Sequence, residues 1–107
     1  MTSWENLLNG LKDDLATEVK GEITNFLSRA KSDSSDFIRE QASKVENYLN
    51  QLANGEITKV QLEGYCRDHT RLLDMQKLKL QVAEKAGVQR LIDGITGQIL
   101  DRLLKLL

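Results

Sequence analysis

The sequence predicts an all-α fold, an antiparallel up-down bundle of four helices that forms a single domain over residues 1–107. Proline is absent, so no position is forced to break a helix. Leucine outnumbers isoleucine and valine, with eighteen, six and five residues respectively, and this balance favours helices over sheets. Apolar residues recur at spacings of three and four, which places them on one stripe of a helix, and no segment alternates at period two for long.

The first helix is expected over about residues 3–30. Its apolar stripe consists of Trp4, Leu8, Leu11, Leu15, Val19, Ile23, Phe26 and Ala30. Thr2 and Glu5 have the spacing of a capping box, in which each side chain bonds a backbone N–H of the first turn. The following segment, 31–36, contains no apolar side chain, so it is expected to connect the first two helices and to cap the second.

The second helix is expected over about 36–54, ended by Gly55 in the left-handed conformation, and the third over about 58–86, capped by Thr58 and Gln61. The seam of the second helix consists of Ile38, Ala42, Val45, Leu49 and Leu52. The third helix carries a first seam of Leu62, Cys66, His69, Leu73, Gln76, Leu80 and Ala83, and a second seam of Tyr65, Leu72, Met75, Val82 and Ala86. Two seams on one helix predict contact with more than one neighbour.

The fourth helix is expected over about 88–107, after a break at Gly87. The apolar stripe slips by about one residue near this glycine, and a glycine costs a helix interior roughly 1 kcal/mol relative to alanine. One continuous helix over 58–107, about 75 Å long, is the alternative. Gly94 and Gly97 lie close to one stripe with Gly87, and all three are interpreted as tolerated glycines, with close approach of two backbones as the alternative.

The charge balance and the absence of known motifs exclude several classes of function. Fifteen Lys and Arg side chains oppose sixteen Asp and Glu, so the basic excess that nucleic-acid binding draws on is absent. No signal-peptide pattern and no long apolar run is evident, and a single cysteine fits a reducing, cytoplasmic setting. No phosphate-binding loop, dinucleotide fingerprint or zinc-protease motif is present. The chain is therefore expected not to be an enzyme and to need no cofactor.

Six of the last nine residues are leucine or isoleucine, more than one face of a helix can hold. A single chain is therefore expected to leave some of them exposed, and large exposed apolar patches mark interfaces. The expected function is that of a structural or interaction protein, which forms a homodimer and binds a partner helix through this C-terminal face. The expected interface anchors are Ile92, Ile95, Ile99, Leu103 and Leu106.

Two alternative functions stay open. Cys66 and His69 are three residues apart, so they share a helix face, and a two-fold dimer would bring together four ligands suited to zinc or copper. The competing interpretation is that both side chains pack in an apolar seam. The second alternative places helix 88–107 on a lipid surface, although it lacks the Lys/Arg excess and the aromatic anchor that are typical of such helices.

Overall fold

A computed structural model describes the backbone of residues 3–107 and the side chains from Trp4 onward, and it confirms an all-α helical bundle. The chain forms α1 (Ser3–Asn9), α2 (Asp14–Lys31), α3 (Asp36–Ala53), α4 (Lys59–Lys77) and α5 (Val82–Gly94), which continues into a π-helix (Ile95–Leu103) and a last turn, α6 (Leu104–Leu106). Consecutive helices pack on one another. The C-terminal helix, which consists of α5, the π-helix and α6, closes the bundle by packing on α2, α3 and α4.

The prediction of a single helix over 3–30 is wrong in one respect, because the chain leaves the helical conformation between α1 and α2. Asp13 has an extended backbone there, and its Oδ1 accepts a hydrogen bond from the Leu15 N–H at 2.9 Å, so it caps a new helix. The break changes the phase of the stripe: Leu15 is 43% exposed, whereas Ala16 is buried. The capping box expected at Thr2 and Glu5 falls partly outside the described residues.

The ends of α3 and α4 follow the local sequence signals. The Ser35 side chain accepts a hydrogen bond from the Ile38 N–H at the start of α3, and Gly55 has a φ of +76° just beyond its end. At the start of α4, the Thr58 N–H donates to Gln61 Oε1 at 2.8 Å, and the Gln61 N–H donates to Thr58 Oγ1 at 3.1 Å. The capping box predicted at this position is therefore confirmed.

The break predicted at Gly87 is wrong, and so is a continuous helix over 58–107, because the chain turns at residues 78–81 instead. No glycine, proline or side-chain cap marks this turn, since Gln81 occupies the N-cap position without a side-chain hydrogen bond. The turn folds α5 back onto α4, where Val88 and Leu91 become fully buried and Lys77 Nζ donates to Gln89 Oε1 at 2.6 Å. Tertiary packing therefore decides where the helix ends.

Two of the three C-terminal glycines permit close packing and are not merely tolerated. A Cβ built on Gly87 would lie 2.3 Å from Cδ1 of Ile38, and a Cβ on Gly94 would lie 2.3–2.8 Å from three ring atoms of Phe26. These distances are shorter than carbon atoms can approach, so a side chain at either position would have to displace its neighbour. A Cβ on Gly97 would meet nothing within 4 Å, and the tolerated interpretation holds there.

The π-helix explains how one chain covers its apolar C-terminus. The Leu104 N–H donates to the Ile99 carbonyl five residues earlier, so each turn takes up more residues than the 3.6 of an α-helix. Residues four and five apart then share a face. In a regular α-helix, Leu104 would lie on the opposite side from Ile95, whereas the π-helix brings both into the core. The side chains buried in this way are those of Ile95, Ile99, Leu100, Leu103 and Leu104.

Candidate functional site

The C-terminal helix does not present an exposed apolar face. Ile95, Ile99 and Leu103 are buried in the core of their own chain, and Ile92 and Leu106 are partly buried against that core. The premise that a single chain cannot cover its apolar C-terminus is therefore wrong for most of these residues, because the π-helix turns Leu104 toward the core as well. For the three fully buried anchors to contact a second chain, the C-terminal helix would have to leave the bundle.

Most of the large exposed apolar residues lie between the start of α4 and the start of α5. Tyr65 is 40% exposed, Leu72 45%, Met75 68% and Val82 84%. They belong to the second seam predicted for this helix, and Ala86, its last member, is also exposed. The first seam faces inward, where its members Leu62, Cys66, His69 and Leu73 are buried.

Two charged residues complete the spacing of this exposed seam. Asp68 lies between Tyr65 and Leu72, and Lys79 lies between Met75 and Val82, all at alternating spacings of three and four. Along α4 this alternation is the heptad pattern of a seam that packs against another helix, whereas Val82 lies beyond the turn at 78–81, as the first residue of α5. We call the six residues the α4 stripe: Tyr65, Asp68, Leu72, Met75, Lys79 and Val82.

A hollow of about 330 Å³ opens beside the α4 stripe, between α3 and α4. Tyr48, Tyr65, Asp68, His69 and Leu72 line it. The ring centroids of Tyr48 and Tyr65 are 5.6 Å apart, and the Tyr48 ring meets the His69 ring edge-on at 5.8 Å. The stripe therefore combines exposed side chains with a concave, largely aromatic depression, and a side chain from another molecule can enter it.

Cys66 and His69 share the buried face of α4, as the sequence predicts, with side chains 1% and 5% exposed. Burial raises the pKa of the Cys66 thiol to about 12. Burial, and then the positive charge of Lys44, lowers the pKa of the His69 imidazole. At neutral pH the thiol is consequently protonated and the imidazole is uncharged.

The described residues give no further ligand for a metal at this pair. Within 3–107, no group of three or more His, Cys, Asp and Glu side chains is placed to hold a metal ion. The His69 Nε2 atom is buried without a hydrogen-bond partner in the described chain, and the imidazole packs against Tyr48. These observations favour the packing interpretation of the pair.

A second concavity, about 500 Å³ in volume, lies between α2 and α5. Phe26 and Gly94 form part of it, and among its charged lining residues Arg90 lies 4.0 Å from Asp33. No serine, cysteine or histidine is among the described residues that line it. The sequence holds no signal for this groove, because it arises from contacts between residues far apart in the chain.

Comparison with known proteins supplies no relative. Searches with protein-family models, among curated proteins and among solved structures find no match to this chain. In the described part of the chain, no helix combines the length and the apolar character that crossing a bilayer requires. The function is therefore argued from the surface of the bundle itself.

Proposed function

We propose that this chain is a non-enzymatic helical interaction protein that associates with a second copy of itself through the α4 stripe. The single observation that carries the proposal is the row of exposed Tyr65, Leu72 and Met75 at heptad spacing on α4. Contiguous exposed apolar patches of this kind mark interaction sites, and helices that present a heptad seam associate with other helices. The class of function is the one expected from the sequence, but the surface is moved from the C-terminal helix to α4.

The state of the buried polar groups supports a role without catalysis. A nucleophilic cysteine must be a thiolate with a base oriented beside it, whereas the Cys66 thiol keeps its proton to about pH 12. The His69 imidazole is buried, and its Nε2 has no orienting partner in the described chain. The same protonated thiol weakens the alternative of a metal or redox site at this pair, because the thiolate is the metal ligand.

Lipid binding through residues 88–107, the other alternative, would need an apolar face that is exposed. A helix that lies on a membrane must expose its apolar face to lipid, and here Ile95, Ile99 and Leu103 are buried in the bundle. Self-association through the α4 stripe is therefore the function that the geometry supports best.

Sedimentation velocity of the full chain, from about 1 μM to about 500 μM, tests the proposal. We expect a dimer that dissociates on dilution. The double variant Leu72→Gln/Met75→Gln should stay monomeric at concentrations at which the wild type is dimeric, because it removes the apolar centre of the stripe.

Val60→Gln is the matched control, since Val60 is 77% exposed on the same helix but lies off the stripe. It should dimerise like the wild type. Far-UV circular dichroism of each variant checks that the bundle is folded. A wild-type chain that remains a monomer throughout the concentration range would refute the proposal, and equal weakening by Val60→Gln would show that the stripe is not the interface.

A further inference from the structure

We infer that the two copies lie antiparallel along the α4 stripe, related by a two-fold axis, with Asp68 of each copy opposite Lys79 of the other. This inference rests on the proposed self-association and adds its geometry and the charge pair that selects it. It is drawn from the order of residue types along the stripe, the exposure of those residues and the hollow beside them.

The stripe is complementary to itself only when it is reversed. In a two-fold antiparallel pair, facing positions have residue numbers with a constant sum. The pairs 65 with 82, 68 with 79, and 72 with 75 each add to 147, and together they use all six positions of the stripe. Leu72 then faces Met75 and Asp68 faces Lys79, so these two layers join apolar to apolar and acid to base, whereas Val82 lies beyond the turn at 78–81 and its layer with Tyr65 does not continue the helix.

A parallel, in-register pair would instead place each residue opposite its own copy. Asp68 would face Asp68 and Lys79 would face Lys79, so both charged layers would join like charges, which repel. The order of charges along the stripe therefore favours the antiparallel arrangement. Each copy presents the same patch in that arrangement, so the pair is closed and does not extend into a filament.

The four central positions of the stripe lie on a nearly continuous helical stretch. Leu78 keeps helical angles of φ −63° and ψ −23° after α4, and the Lys79 N–H donates to the Gln76 carbonyl at 3.0 Å. Asp68 and Lys79 are 11 residues apart in the sequence, which corresponds to about 16 Å along a helix. Asp68 and Lys79 of one copy can thus meet their counterparts at both ends of the apolar centre.

Neither charge is held firmly within its own chain. Asp68 lies 3.6 Å from Arg71, but both side chains are 76% exposed, and such pairs contribute little. Lys79 is exposed, and none of the ion pairs found among the described residues involves it. Both side chains are therefore available to a second copy.

The hollow provides a second point of fit. It is bounded on α4 by Tyr65, Asp68 and Leu72, which in this register face the segment 75–82 of the other copy. Met75 is the apolar side chain of that segment nearest the two-fold axis, and 68% of it is exposed. A methionine is unbranched and adaptable, so it can fill an irregular depression as a knob fills a hole.

Charge reversal in the full chain tests the register. Asp68→Lys or Lys79→Asp alone should raise the dissociation constant of the dimer about tenfold or more at low salt, because two-fold symmetry places like charges in two layers at once. The double variant Asp68→Lys/Lys79→Asp restores opposite charges in both layers. Its dimer dissociation constant should lie within about threefold of the wild-type value.

Asp74→Lys is the matched control for Asp68→Lys. Asp74 is an exposed acid of α4 that also has a basic partner three residues later, Lys77 at 3.2 Å, but it lies off the stripe. We expect it to leave the dissociation constant unchanged, and circular dichroism verifies that all variants fold alike.

The outcomes separate this inference from the proposed function. If the wild type dimerises and Leu72→Gln/Met75→Gln prevents dimerisation, the stripe is the interface. If, in addition, the single charge reversals have no effect, or the double reversal does not restore dimerisation, the antiparallel register is wrong. A parallel pair would give that result. If the wild type does not dimerise at all, the proposed function and this inference fall together.

Discussion

Gly87 lies inside α5 at a point where a methyl group has no room. A Cβ added there would lie 2.3 Å from Cδ1 of Ile38, a side chain that is 2% exposed and surrounded by the core. The substitution Gly87→Ala therefore sets two effects against each other. Alanine favours the helix, whereas the added carbon overpacks the contact between α5 and α3.

The magnitudes decide the direction. Overpacking a well-packed core costs typically about 1–3 kcal/mol, and exchanging a helical glycine for alanine returns roughly 1 kcal/mol. We expect Gly87→Ala to lower the free energy of unfolding by up to about 2 kcal/mol. Gly21→Ala is the control, because Gly21 is helical and a Cβ there would meet nothing within 4 Å. It should raise the free energy of unfolding by about 0.5–1 kcal/mol.

A double-mutant cycle with Ile38→Val identifies the cause. Valine lacks Cδ1, and the Cγ1 that remains lies at an ordinary 3.6 Å from the added Cβ. In the wild type, Ile38→Val should cost about 0.5–1.5 kcal/mol for the lost methyl group. In the Gly87→Ala background it should instead increase stability, since one methyl group then replaces another in the same space.

Urea unfolding followed by far-UV circular dichroism gives the four free energies of this cycle. Two results would refute the reasoning. One is a gain in stability for Gly87→Ala as large as that for Gly21→Ala, which would mean that α5 does not approach α3 this closely. The other is an equal cost of Ile38→Val in both backgrounds, which would mean that the two residues are not in contact.

Four further predictions concern single residues. Because folding lowers the pKa of His69, the unfolded chain binds more protons than the folded chain below about pH 6.5. The free energy of unfolding should therefore fall from about pH 7 to about pH 5. The urea midpoint of His69→Gln should fall less than that of the wild type over the same pH range. Because burial raises the pKa of Cys66 to about 12, a thiol reagent should label the native chain at about pH 8 far more slowly than the urea-unfolded chain, and labelling at equal rates would contradict the burial. Gln81 provides no side-chain cap, so Gln81→Asp should stabilise α5 by about 0.5–1 kcal/mol in urea unfolding, whereas Thr58→Ala should lose about 1 kcal/mol by removing the cap of α4.

Where helix signals are local, the sequence predicts the structure closely. The expected range 36–54 agrees with α3 at Asp36–Ala53, and the capping box of Thr58 and Gln61 forms as expected. The 3.6-residue period places Leu62 and Leu73 on one face of α4 as predicted, and that face is buried, whereas the second seam, for which a further neighbour was predicted, is exposed. These features depend on residues within one or two turns of each other.

The failures involve choices that local signals leave open. Gly87 resembles a helix break when it is considered with its sequence neighbours. The structural reason for a glycine at this position is its close packing against Ile38, 49 residues earlier in the sequence. The actual turn at 78–81 has no signal of its own. The prediction that some C-terminal leucines and isoleucines are exposed assumes the regular α-helical period for Ile95–Leu103, and a π-helix has a different one.

The sequence by itself determines that this chain is helical, where α3 begins and ends, where α4 begins, and which residues of α4 share a face. Those properties follow from backbone capping and side-chain periodicity, which act over a few residues. The tertiary structure alone decides which of the two seams of α4 the chain covers and which it leaves exposed. The reason is packing: the C-terminal π-helix contributes its buried side chains to the core, whereas Tyr65, Leu72 and Met75 of the α4 stripe stay exposed in the described chain.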